Sequence, residues 1–189
     1  MAGPEKERKS KMQALITELK SGEENRIETA LKGLQVHGDD EAILPILEVW
    51  NAGVSSKAEQ EIITFLSDIK SSSSVDPIME VLTDSHFKRI HHPLLTTIWN
   101  TKVDYSAYLT DFVRIATEND FMTALECLTI IENMEGPFEE HHFLESEIAL
   151  RAYAERTQKS KDSEDERKLQ LVREIGRILK DFETNNINL

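Results

Sequence analysis

Residues 43–50 read Ile-Leu-Pro-Ile-Leu-Glu-Val-Trp, and residues 75–82 read Val-Asp-Pro-Ile-Met-Glu-Val-Leu. Pro45 aligns with Pro77, Ile46 with Ile78, Leu47 with Met79, Glu48 with Glu80 and Val49 with Val81, all at one constant offset. A period of this length marks a helical hairpin that cannot bury its apolar face alone and stacks on neighbours of the same kind.

The period extends outward from the pair. Ile62, Ile63, Leu66 and Ile69 fall at helical spacing and match Ala30, Leu31, Leu34 and His37, one period earlier. His37 is therefore expected at the end of a helix rather than in a ligand position. Leu94, Leu95 and Ile98 repeat the pattern one period later. Tyr108, Leu109, Phe112, Val113 and Ala116 form the next stripe, without the proline. Ala124, Leu125, Leu128 and Ile131 follow, then Phe143, Leu144, Ile148, Ala149 and Ala152 as the inner face of a last returning helix. Trp50 and Trp99 are expected as packing residues rather than ligand platforms, with one of the neighbours Ile98 and Trp99 less buried.

Local signals punctuate these runs. Ser21-Gly22 ends a first short helix. Asp39 or Asp40 is a candidate cap for the helix after the first turn, Ser55 or Ser56 for the next, and Asp104 for a later one. Glu59 is spaced to complete a capping box with Ser56. Pro93 starts or kinks its helix, because it has no amide donor. Glu135-Gly136-Pro137 is a sharp break.

The expected organisation is a disordered N-terminus over 1–10 and a capping helix over 11–22. Four hairpins occupy 23–155, in units near 23–53, 54–84, 85–118 and 119–155. A polar linker spans 156–166, and a terminal helix with its tail spans 167–189, frayed from 185 onward. The fold class is all-α, an alpha-alpha superhelix of about four stacked helical hairpins with an additional helix at each end. The terminal helix carries an apolar stripe of Leu169, Val172, Ile175, Leu179 and Phe182. That stripe packs on the last hairpin or pairs with another chain, which makes self-association through this helix one expectation.

Composition narrows the function classes. With 35 acidic and 22 basic residues the net charge is −13. A surface so acidic repels phosphate backbones, so no nucleic-acid partner is expected. No apolar run is long enough to cross a bilayer, and no membrane insertion is expected. Cys127 is the single cysteine, so no intrachain disulfide can form. It sits in a helical apolar run, where a cysteine serves as a small apolar filler. A cytoplasmic location is the default expectation.

Chemistry-bearing patterns are sparse. His91-His92 and His141-His142 are adjacent pairs, and neighbours on a helix point about 100° apart, so both members seldom face one metal. His141 and Glu145 have i,i+4 spacing and would need a third ligand from elsewhere, such as His91. Glu139-Glu140 and Glu145-x-Glu147 are spacings that arise readily among so many carboxylates. There is no His-Glu-x-x-His sequence, no glycine-rich phosphate loop and no nucleophile elbow. No catalytic residue, metal ligand set or cofactor is assigned.

Leu31/Leu34, Ile63/Leu66 and Leu95/Ile98 on first helices, with Pro45-Ile46-Leu47 and Pro77-Ile78-Met79 on second helices, make residues 23–155 resemble HEAT-like or armadillo-like helical repeats. The Asp-and-basic signature near the hairpin turn has a counterpart in Asp68-Ile69-Lys70 alone, and a TPR-like superhelix is the alternative within the same architecture. The resemblance implies a non-catalytic protein-interaction scaffold or adaptor. Polar residues on the second helices, Glu48, Asn51, Glu80, Thr83, Asp111 and Arg114, are the candidate binding residues. Their largely acidic character suits a protein or peptide partner with a basic patch. The alternative is a helical-repeat enzyme, or a small-ligand or metal binder, using histidines and acidic side chains.

Overall fold

The structure, a computed structural model, describes residues 4–37, 40–101, 103–157 and 163–187. Among them the chain forms ten α-helices. These are α1 Pro4–Leu19, α2 Glu24–His37, α3 Ile43–Ala52, α4 Ser56–Ser67, α5 Val75–Thr83, α6 Lys88–Ile98, α7 Leu109–Glu118, α8 Phe121–Glu132, α9 Glu140–Thr157 and α10 Ser163–Ile187. Short 3-10 turns at Asp40–Ala42, Ser72–Ser74, Ser85–Phe87 and Ser106–Tyr108 lead into α3, α5, α6 and α7. The chain is all-α, with stacked helical hairpins and further helices flanking them. It divides between Val103 and Asp104 into two compact units.

In the first unit the period that relates Pro45 to Pro77 sets the helix starts. α2, α4 and α6 begin at Glu24, Ser56 and Lys88, while α3 and α5 begin at Ile43 and Val75. α2, α4 and α6 lie side by side as one layer, and α1, α3 and α5 form the second. Between the layers lie Leu31, Leu34, Leu66 and Ile98 from the first and Ile46, Leu47, Ile78 and Met79 from the second, all buried. Ala42 and Ser74 stand one period apart at the starts of α3 and α5. Both are fully buried, with nearly the same backbone angles. Pro45 and Pro77 fall in the first turn of their helices, where the missing amide has no intrahelical partner to lose.

Three local expectations change here. Residues 4–10, expected to be disordered, continue α1. Met12, Ile16 and Leu19 are buried and pin the helix on α2 and α3. A pinned helix extends at little further loss, and here Pro4 opens it with Glu5 and Glu7 in the first turn. Asp40 does not cap α3, whose start has no side-chain cap; its carboxylate accepts the hydroxyls of Ser71, at 3.2 Å, and Ser73, in the equivalent turn one period on. Glu59 makes no capping box. Ser55 caps α4 by accepting the Ala58 amide, and Glu59 instead accepts the Trp50 indole N–H at 2.9 Å. The side chain of His37, with Gly38 and Asp39, lies outside the described residues.

The second unit departs from the period. α8 begins at Phe121, one position later than the period counted from the start of α6 at Lys88, and α9 begins at Glu140, one position earlier than the period counted from the start of α7 at Leu109. α7 packs on α8 and α9, and α10 packs on α8, α9 and α7. Phe112, Val113, Ala124, Cys127, Ile131 and Ile175 make its core. Asp104 caps the turn before α7 through the Ser106 amide at 3.0 Å, and Asp120 caps α8 through the Thr123 amide at 2.8 Å. The break after α8 passes through Gly136 at φ +83°, a conformation open to glycine. Of the expected linker over 156–166, residues 158–162 lie outside the described residues; α9 runs to Thr157 and α10 starts at Ser163.

Candidate functional site

The six polar residues read from the sequence divide between the units. In the first, Glu48 is exposed on α3 and takes the Lys20 ammonium at 2.5 Å. Asn51 ties down the turn ahead of α6: its amide donates to the His86 carbonyl at 3.1 Å, and its own carbonyl accepts Arg89 Nη1 at 2.9 Å. Glu80 is exposed on α5, and the Thr83 hydroxyl donates to the Met79 carbonyl one turn back at 2.8 Å. In the second unit Arg114 lies between Asp111, at 3.9 Å, and Glu145, at 3.0 Å. Asn51 and Thr83 thus serve local backbone structure, while Glu48, Asp111 and Arg114 sit in surface pairs.

His91, His141 and His142 are engaged as well. His91 is buried, with Nε2 between the carbonyls of Val81, at 3.0 Å, and Asp84, at 3.1 Å, where it closes the C-terminal end of α5. Nδ1 of buried His142 accepts the Glu139 amide at 3.1 Å, holding the first turn of α9, and the ring also bonds the Ala107 backbone. Burial, and secondarily the His141 ring beside it, push the His142 imidazole below its usual range. His141 turns to Glu139 at 3.4 Å, while Glu145, its i,i+4 neighbour, is taken by Arg114. Among the described residues no three His, Cys, Asp or Glu side chains gather where they could hold a metal ion. Cys127 is fully buried, and burial pushes its thiol well above the usual range, away from nucleophilic use.

The terminal helix is held inside the second unit. Val172, Ile175, Ile178 and Leu179 are buried against α8 and α9. Lys168 is buried at the C-terminal end of α7, where its ammonium donates to the carbonyls of Thr117, at 3.0 Å, and Asn119. It also lies over the Tyr153 ring, 4.8 Å from the centroid. A cation at that end satisfies free carbonyls and complements the helix dipole. Phe138 stacks on Phe182 at 4.7 Å.

α9 is where the site arises. The inner face expected from the sequence is Phe143, Leu144, Ile148, Ala149 and Ala152. The buried residues are instead His142, Phe143, Ser146 and Tyr153, while Leu144 is 55 % and Ile148 68 % exposed. Phe143, Ser146, Leu150 and Tyr153 form one stripe, and Leu144, Ile148 and Ala152 a second beside it. The two large aromatics win the core because they remove the most apolar area from water. The second stripe is left at the surface.

Beside it, between α9 and α10, runs a groove of about 590 Å³. Leu144, Leu150, Leu169, Val172 and Leu179 supply its apolar lining. Gly176 stands in it without a side chain, and an added Cβ would lie 3.4 Å from Leu150 Cδ1. Arg151, Arg173, Arg177 and Lys180 rim it, with Glu147 and Glu183. Trp99 of the first unit, expected to pack, is another large apolar side chain at the surface, 42 % exposed, whereas its neighbour Ile98 is buried. None of the groove residues carries a site signature in the sequence. The legible signal is the surplus of apolar residues on α9, more than one helix face can bury. A scan against protein-family models and searches of curated proteins and of solved structures find no match to this chain.

Proposed function

We propose that the protein is a non-catalytic interaction module of HEAT-like or armadillo-like character, and that it binds a helical segment of a partner protein in the groove between α9 and α10. The observation that carries this reading is the groove of about 590 Å³ lined in part by exposed Leu144, with exposed Ile148 one turn further along α9. Exposed apolar positions on α9, beside a groove floored by the largely buried side chains of α10, offer a surface that a third helix covers in helix-in-groove recognition. The engaged histidines and the buried, high-pKa Cys127 favour binding over catalysis. The polar face of α3 and α5, with Glu48 and Glu80, is a solvated ridge in this reading rather than the main contact.

The test is affinity capture with the full chain beside the double substitution Leu144→Glu with Ile148→Glu. Both positions are exposed, so the fold is kept. The expected result is a reproducible partner, identified by mass spectrometry and lost with the double substitution. Equal recovery by both proteins would place binding elsewhere.

A further inference from the structure

Resting on the interaction reading above, the geometry points to an acidic amphipathic helix as the occupant of the α9–α10 groove. Three contacts fix the two helices as antiparallel neighbours: Lys168 lies over Tyr153, Gly176 faces Leu150, and Phe182 stacks on Phe138 just before α9. The lining runs between residues 143 and 154 on α9 and between 169 and 183 on α10. At 1.5 Å per residue this is roughly 15–20 Å, the length of a helix of about 10–14 residues. The missing side chain at Gly176 opens the groove floor, so that an approaching helix can reach Leu150. An extended peptide finds no sheet edge here; a helix laid along the groove would cover Leu144 and the half-buried Leu150 and Leu169, with Val172 and Leu179 buried beneath.

The rim selects the charge. In a chain of net charge −13, the groove is lined by four cations against two carboxylates. Arg151 is paired with Glu147 at 3.0 Å, and Arg177 with Glu174 and Asp181. Arg173 and Lys180 are exposed, two turns apart on α10, and have no ion-pair partner among the described residues. Glu183 stands at one end of the groove. Carboxylates along the flank of a bound helix would meet Arg173 and Lys180 in register, i to i+7. A second copy of this chain would bring the same cationic rim against itself across a two-fold interface, which like-charge repulsion disfavours.

The experiment uses two fluorescently labelled helical peptides of about 14 residues. Both carry leucines on one face; one has glutamates on the flanks and its twin has lysines there. Anisotropy titrations use the full chain, Gly176→Leu, which fills the groove floor, and Arg173→Glu with Lys180→Glu, which changes only exposed side chains. The acidic peptide is expected to bind the full chain at least about tenfold more tightly than its twin, with a preference weakened by salt. Arg173→Glu with Lys180→Glu reverses the preference, and Gly176→Leu abolishes binding of both peptides. A twin that binds equally or more tightly, yet is still blocked by Gly176→Leu, overturns the acidic assignment and leaves the interaction reading standing. Binding that ignores Gly176→Leu and the substitutions at Leu144 and Ile148 overturns both. No binding of either peptide overturns the acidic helix alone, because partner capture tests the interaction reading separately. A concentration-dependent dimer in sedimentation velocity, dissolved by the Leu144 and Ile148 substitutions, assigns the groove to a second copy and overturns the proposal.

Discussion

α3 and α9 are both returning helices of a hairpin, and they differ in what covers them. α3 buries Ile43, Ile46, Leu47 and Trp50, with α1 and α5 beside it in its layer and α4 and α6 packed across. α9 carries two apolar stripes and buries one; the other stays open, next to the groove between α9 and the long terminal helix α10. Where the period is kept, α3 has helices on both sides and across from it and buries its apolar face, although Val36 on α2 and Trp99 just after α6 stay exposed. Where the period slips, a single long helix takes the neighbour's place, and the apolar stripe it fails to cover stays exposed.

The largest expected effect lies on the regular side of this contrast. Trp50→Ala removes a fully buried indole and leaves the Glu59 carboxylate without its donor, and should lower stability by about 3–5 kcal/mol in urea denaturation. A loss no greater than about 1 kcal/mol would mean that α3 is not packed as described. Next, Ile98→Ala should lose about 2–5 kcal/mol, while Glu80→Ala on the solvent face stays within about 0.5 kcal/mol. Comparable denaturation midpoints for the two variants would defeat the assignment of inner and outer faces.

A third prediction bears on the irregular side. Lys168→Met keeps the apolar stem and removes the ammonium from the Thr117 and Asn119 carbonyls, with an expected loss of about 1–3 kcal/mol. Faster amide exchange should appear first in α10, because this contact ties its start to α7. Unchanged exchange there would show that apolar packing alone seats the helix.

The smallest effect is a pH dependence. The His142 imidazole is held below its usual value of 6.5, so the folded chain binds fewer protons at this site than the unfolded chain. Its contribution is fully present above pH 6.5 and is lost as pH falls from there toward the lower folded value. His142→Gln should flatten the slope of stability against pH just below 6.5 relative to the parent. A slope that is the same in both proteins would assign it to other groups.

Much of this fold is legible before any coordinates. The constant offset that carries Pro45 onto Pro77 predicts the helix starts of the first unit because identical spacing forces the same hairpin to recur. Ser55 and Asp104 are readable as caps because they need only their own neighbours. Glu59 is not. Its carboxylate can satisfy a helix start or the indole of Trp50, and only the packing of α3 on α4 makes the choice. Residues 4–10 escape the sequence for a related reason: local composition gives nothing to bury, but a helix anchored through Met12, Ile16 and Leu19 carries its solvated first turns along.

The site lies beyond the reach of the sequence for a sharper reason. Leu144 and Ile148 are as apolar as any core residue, and helical spacing places them on a plausible inner stripe. Which of two apolar stripes on α9 turns inward depends on the rotation of the helix about its axis, and that is set by how Phe143 and Tyr153 fit between neighbouring helices. The sequence by itself therefore determined that the chain is all-α, that its first helices recur at a constant offset and that α9 carries apolar surface. Only the tertiary structure decided which part of that surface stays in water, because burial is a property of neighbours and not of residues.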